Sequence, residues 1–401
     1  MKKILIGTLF ILHSLQALAL DNFYAISRSN FNIENFLDIN SVQFDDAMQE
    51  QWHQFENGWR MTGHSLTADL LYSHIDVKLK NELSQPVNVY LRYQQQDFYY
   101  DKPLSSAEFE LEVRPFNTAI GFSVISTVDY QKALADIGFA ITLGQRSGDF
   151  LQFKNIAIDP LFNQKRSGPE LDQASYSDTQ HKISIEAAYQ WSPSLKTHFL
   201  ISDLSPMLFN FNDQISTFSH QGYQYDASVR YQHNNDHYWR LRFNGFKDDK
   251  SLTSTGSQQQ QQISYHSVNL QWLFHQTRPY QYSLGLRDDR FSNDIRDALM
   301  NSNNLDYRFS TTQIYSTMQH FYQPETAWNL GIYIGLVHEP FDENETDTAV
   351  FARQYQSQLR VSWLYLAKNK KSRFKIHGSL NLDDIIDDPG DGLGLTWQSV
   401  F

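Results

Sequence analysis

The sequence predicts an all-β fold, a transmembrane antiparallel β-barrel of about 16 to 18 strands, behind a short, partly helical N-terminal segment. Three observations predict it. From Leu66 onward, apolar and polar residues alternate with period two in segment after segment, and little reads as helix. Short and long polar connections alternate between those segments, as they do when one end of a barrel carries tight turns and the other carries loops. Aromatics make up 14% of the chain, with 22 Tyr and 28 Phe, more than an ordinary core uses and suited to interface girdles.

The chain opens with Met1, Lys2 and Lys3, a basic start, followed by an apolar run over 4–18 and the small-x-small pattern Ala17, Leu18, Ala19. The run is too short to span a bilayer comfortably and no basic stop follows it, so it reads as a signal peptide cleaved after Ala19. The expected organisation is 1–19 signal peptide, 20–64 N-terminal periplasmic or lumen segment, and 65–401 barrel. Within the second part, Ala47, Met48, Trp52 and Phe55 fall at helical spacing behind Asp45 and Asp46. This helix either leads into the barrel from the periplasm or sits in the bore as a plug.

The strand pattern then runs to the end. Ile75, Val77 and Leu79 alternate with Asp76, Lys78 and Lys80, and Phe109, Leu111 and Val113 with Glu108, Glu110 and Glu112. Trp239, Leu241 and Phe243 oppose Arg240, Arg242 and Asn244, and Trp328, Leu330, Ile332 and Ile334 oppose Asn329 and Gly331. A two-sheet sandwich has shorter strands and more even loops, so the barrel is preferred. Tight connections are expected near Pro86, Pro115, Gly148, Pro193, Asn235, Pro279, Pro324 and Lys370, with long loops at 159–180, 247–262, 288–306 and 339–348. The segments number about 17; an even count is the rule for bacterial barrels, and 54–67 could supply a missing first strand.

The last stretch places Leu393, Leu395, Trp397 and Phe401 on one parity and Gly394, Thr396 and Gln398 on the other. It resembles the C-terminal assembly signal of bacterial outer-membrane β-barrels, which ends on a terminal Phe, and the chain is porin-like in that sense. The resemblance implies a place in the outer membrane of a Gram-negative envelope, contact with outer-membrane lipid and lipopolysaccharide, and recognition of the last strand by the barrel-assembly machinery.

Composition removes other classes. There is no Cys, hence no disulfide, zinc-thiolate site or cysteine nucleophile. A net charge of -12 argues against nucleic acid as partner. The acidic stretches 342–345 and 383–392 lack the spacing of a calcium loop and read as solvated turns. His377 and Ser379 would share a strand face, but no catalytic signature surrounds them, so neither enzyme activity nor a metal or other cofactor is expected.

Function should lie on inward positions, which alone meet solute. Parity puts Glu108, Glu110 and Glu112 along one strand, and Arg230, Arg240, Arg242 and Arg287 on strands around the far wall, with Arg92 and Arg360 also inward. Acid facing base across a bore sets up a transverse field that biases permeation by charge. The same groups could instead be ion pairs that hold the wall together. The expected function is a passive channel for small polar solutes, anionic or sugar-like. The competing expectation is a non-enzymatic barrel acting as export conduit, receptor or scaffold for another envelope component.

Overall fold

The computed structural model describes residues 57–400, apart from 66–70, 85, 99–103, 116–118, 130–134, 147, 159–173, 177–179, 204–206, 212–216, 255–256, 275–278, 298–304, 340–356, 369–371 and 383–389. The expected signal peptide, the helix over 45–55, the acidic loops at 342–345 and 383–389 and the terminal Phe401 lie outside the described residues.

The described residues form twenty strand segments. The first half contains β1 (Gly58–Ser65), β2 (Leu71–Ser84), β3 (Val87–Phe98), β4 (Leu104–Val113), β5 (Ile120–Asp129), β6 (Asp136–Gly144), β7 (Phe150–Ile158), β8 (Ala174–Tyr176), β9 (Gln180–Ser192) and β10 (Leu195–Asp203). The second half contains β11 (Met207–Phe211), β12 (Thr217–Asn234), β13 (His237–Ser254), β14 (Ser257–Phe274), β15 (Tyr280–Asp297), β16 (Leu305–Gln323), β17 (Thr326–Glu339), β18 (Gln358–Leu366), β19 (Ser372–Asn381) and β20 (Gly390–Val400). The short β8 and β11 pair with each other and carry the β9–β10 hairpin outward. Counted with their parent strands they leave an 18-stranded wall, antiparallel throughout. β20 pairs with β1 from Gly58↔Val400 to Ser65↔Leu393, so the sheet meets itself and has no open edge along this seam. β1 is the extra strand that makes the count even, and the wall therefore begins at Gly58, within the segment assigned to the N-terminal part.

Alternation decides which way each side chain points. Outward positions are apolar and exposed: Val124 is 61%, Trp191 65% and Leu336 60% accessible. Burying such residues against water-excluding surroundings is what stabilises them, and here only a bilayer can supply those surroundings. Near the tight-turn end the outward residues are mainly aromatic. Trp239 stacks on Trp272 at 5.5 Å, Trp272 meets Phe274 at 4.8 Å, and Trp59 meets Trp397 edge-on at 4.8 Å across the seam. The Trp363 indole N–H donates to Tyr322 Oη at 2.8 Å. This is an interface girdle, with apolar faces toward lipid and polar tips satisfied locally. On β17 the outward apolar run, girdle included, extends from Trp328 through Leu330, Ile332 and Ile334 to Leu336; at ~3.3 Å per residue that is about 30 Å of chain, which a tilted strand turns into the ~25 Å height of a bilayer core. A closed barrel with this outer face is that of an outer-membrane protein.

Two expected loops are not loops. Residues 247–262 form the upper parts of β13 and β14, which pair down to Ser254↔Ser257, and 288–306 is largely the top of β15 and β16. Period-two alternation fails there because both faces are polar. Lys247, Asp249, Arg290, Asp294 and Arg296 point outward while Asp248 and Lys250 point inward, so the ladder continues past the membrane with no hydrophobic signal to mark it.

Candidate functional site

The inner wall is polar and knitted to itself. On β14 to β17, Gln271 donates to Ser283 (3.2 Å), Tyr315 to Asn269 (2.8 Å) and Tyr265 to Asp289 (2.8 Å). Large rings fit because glycines lie beneath them: a Cβ on Gly285 would sit 1.9 Å from the Tyr315 ring, so only glycine lets that ring lie flat on the sheet.

The nine residues expected to line the bore all point inward, but they do not form two bare walls. Glu108 accepts from Lys154 Nζ at 2.6 Å, Glu110 pairs with Arg146, and Glu112 with Arg114. Lys154 belongs to β7, three strands from Glu108 on β4. Between them the inward positions are Thr127 and Ile125 on β5 and Gly138 and Ala140 on β6, and the two small residues on β6 leave room for the lysine chain to cross. The wall curls tightly there, and Ile125, Ala140 and Ile156 form a small dry cluster in the curl. Glu110 and Glu112 are essentially inaccessible, so they serve the wall rather than facing solute. Arg92 forks onto Asp76 at 3.1 and 2.8 Å. Arg287 pairs with Asp289 at 2.6 Å and donates to Tyr265 Oη at 3.0 Å. Arg360 donates to Gln358 at 2.9 Å and lies 4.0 Å over the Tyr333 ring. The transverse field expected from opposed acidic and basic walls is therefore reduced to local pairs on the acidic side.

Arg230, Arg240 and Arg242 do come together. They line one cavity of about 170 Å³ at the tight-turn end of the lumen, with Arg146 and Lys196. The carboxylates on the same cavity are Asp149, Glu186 and Asp226, leaving an excess of positive charge inside a chain of net charge -12. Arg242 donates to Asp226 at 2.5 Å, and His198 lies 3.2 Å from Glu186. The Arg230 guanidinium stacks on Tyr238, 4.4 Å from the ring centre. Strand parity in the sequence places Lys196, Glu186 and Asp226 inward but does not show that they share a cavity. Arg146 escaped parity altogether, because it sits in the β6–β7 turn.

No protein-family model matches the chain, and no curated protein matches it. Among solved structures it is similar to OprD of Pseudomonas aeruginosa, with 10% identity, 86% of this chain and 94% of that one covered, and a TM-score of 0.42. A bacterial polysaccharide outer membrane secretin gives 9% identity, 86% and 99% coverage and a TM-score of 0.40. The toluene transporter TodX of Pseudomonas putida gives 9%, 86% and 87% coverage, and 0.32. Likeness this loose carries no argument about what this barrel does.

Proposed function

We propose that the protein is a passive outer-membrane channel for small polar solutes with a preference for anions. The observation that carries the reading is the cavity at the tight-turn end of the bore, where five cationic side chains face three carboxylates. Barrels of 16–18 strands are wide enough to hold water inside, unlike eight-stranded ones whose side chains fill the interior. A positive constriction in such a bore raises the local concentration of anions and lowers their barrier relative to cations. Inward Gln, Asn, Ser and Tyr add hydrogen-bonding partners for a hydroxylated solute, which supports sugar-like cargo as well.

Purified protein in planar lipid bilayers tests this directly. Steady conductance with a reversal potential on the anion-selective side of a salt gradient is expected, and Arg240→Glu with Arg242→Glu should move that potential toward cations. A bilayer that stays sealed, or selectivity indifferent to both reversals, would sink the proposal.

A further inference from the structure

Register places three cations of the cavity side by side. Lys196 on β10 stands directly opposite Arg230 on β12, and Arg230 stands directly opposite Arg240 on β13. With strands ~4.8 Å apart, the three backbone positions span about 10 Å. Like charges set opposite one another on neighbouring strands destabilise a sheet. One step along the strands a second row follows in register, His198, Ser228 and Arg242. In the second row Glu186 lies beside His198 and Asp226 accepts from Arg242. Two further features fix the first row. The β9–β10 ladder shifts register between Leu195 and Lys196, and such bulges re-aim side chains. The Tyr238 ring holds the plane of the Arg230 guanidinium.

The geometry points to a binding site for a phosphate group, built by Lys196, Arg230 and Arg240 with Arg242 and the Ser228 hydroxyl beside them. A carboxylate is planar and satisfied by one guanidinium fork. A phosphate offers acceptor oxygens in several directions and carries close to two charges, so it can be shared by two forks and an ammonium at once. Its arrival adds charge-assisted hydrogen bonds from three cations that register sets side by side. This rests on reading the lumen as a solute path and narrows its cargo to phosphorylated small molecules, held briefly at the tight-turn mouth.

The test uses binding rather than conductance, so that it can fail separately from the channel reading. Unfolding of the full chain in detergent is followed through its eight tryptophans, in inorganic phosphate and in chloride at equal ionic strength and neutral pH. Phosphate should raise the Tm saturably. Arg230→Gln with Arg240→Gln should abolish that rise. Should the double variant fail to assemble, Lys196→Gln, at an exposed position, should raise the half-saturating phosphate concentration roughly tenfold, corresponding to ~1.4 kcal/mol. Lys247→Gln on the outer face should change neither quantity. Equal Tm values in the two salts, or variants of the row that keep the wild-type phosphate response, would overturn the site. A non-conducting barrel that keeps the phosphate shift would refute the channel and leave the site standing.

Discussion

The β4–β7 wall and the β12–β16 wall solve the same closure problem in opposite ways. β4 to β7 are 9 or 10 residues long and end with the membrane, whereas β12 to β15 have 18 residues each and β16 has 19. The short wall has small inward residues, Gly138 and Ala140, on β6 and is strapped by Lys154 and Arg146, which reach back to Glu108 and Glu110 on β4. The tall wall has Tyr265, Tyr315 and the arginines facing inward, with Tyr315 lying over Gly285, and is tied by neutral hydrogen bonds such as Tyr315 to Asn269 and Gln271 to Ser283 as well as by the Arg287–Asp289 pair. Curvature in the first is pinned by ion pairs that skip strands. In the second, breadth of the bore is kept by rings lying flat. The same alternation rule therefore yields a wall strapped by ion pairs and a wall that presents large polar side chains to the bore, according to the size of the inward residues.

The contrast can be broken most severely at the strap. Glu110→Ala removes one partner of a buried pair and should destabilise the barrel by about 3 kcal/mol, measured by urea unfolding in detergent. Gly285→Ala should come next, at about 1–3 kcal/mol, because the new methyl displaces the Tyr315 ring; adding Tyr315→Ala should return part of that loss and reveal the coupling in a double-mutant cycle. Lys154→Met should cost about 1 kcal/mol alone and less when Glu108→Leu accompanies it, since the pair is partly accessible and an apolar couple can replace it. The smallest effect is expected outside the membrane. Arg296→Gln breaks an exposed pair with Asp294 and should change stability by less than about 0.5 kcal/mol. An unfolding midpoint that fell as far for Arg296→Gln as for Glu110→Ala would erase the distinction between the two walls.

Parity made the barrel legible, because Phe109 against Glu110 or Trp239 against Arg240 leaves one assignment of faces. It went silent at Lys247, Asp248, Asp249 and Lys250, where both faces meet water and no residue type reports the strand. Inwardness of the charged groups was legible for the same reason as the fold. Their pairing was not: Lys154 meets Glu108 only because the sheet curls between them, and the row of Lys196, Arg230 and Arg240 depends on how three strands are offset. Offsets are set by turn geometry at Pro193 and Asn235, which linear spacing does not encode.

The seam between β1 and β20 has a consequence for biosynthesis. Its two halves are the earliest and latest parts of the described sheet to leave the ribosome, so a chain stopped short of Gly390 presents two unmatched borders however well its other hairpins have formed. Completion is thus a single late event rather than a gradual one, and a quality-control step that inspected only the final eleven-residue strand would be inspecting the whole cylinder.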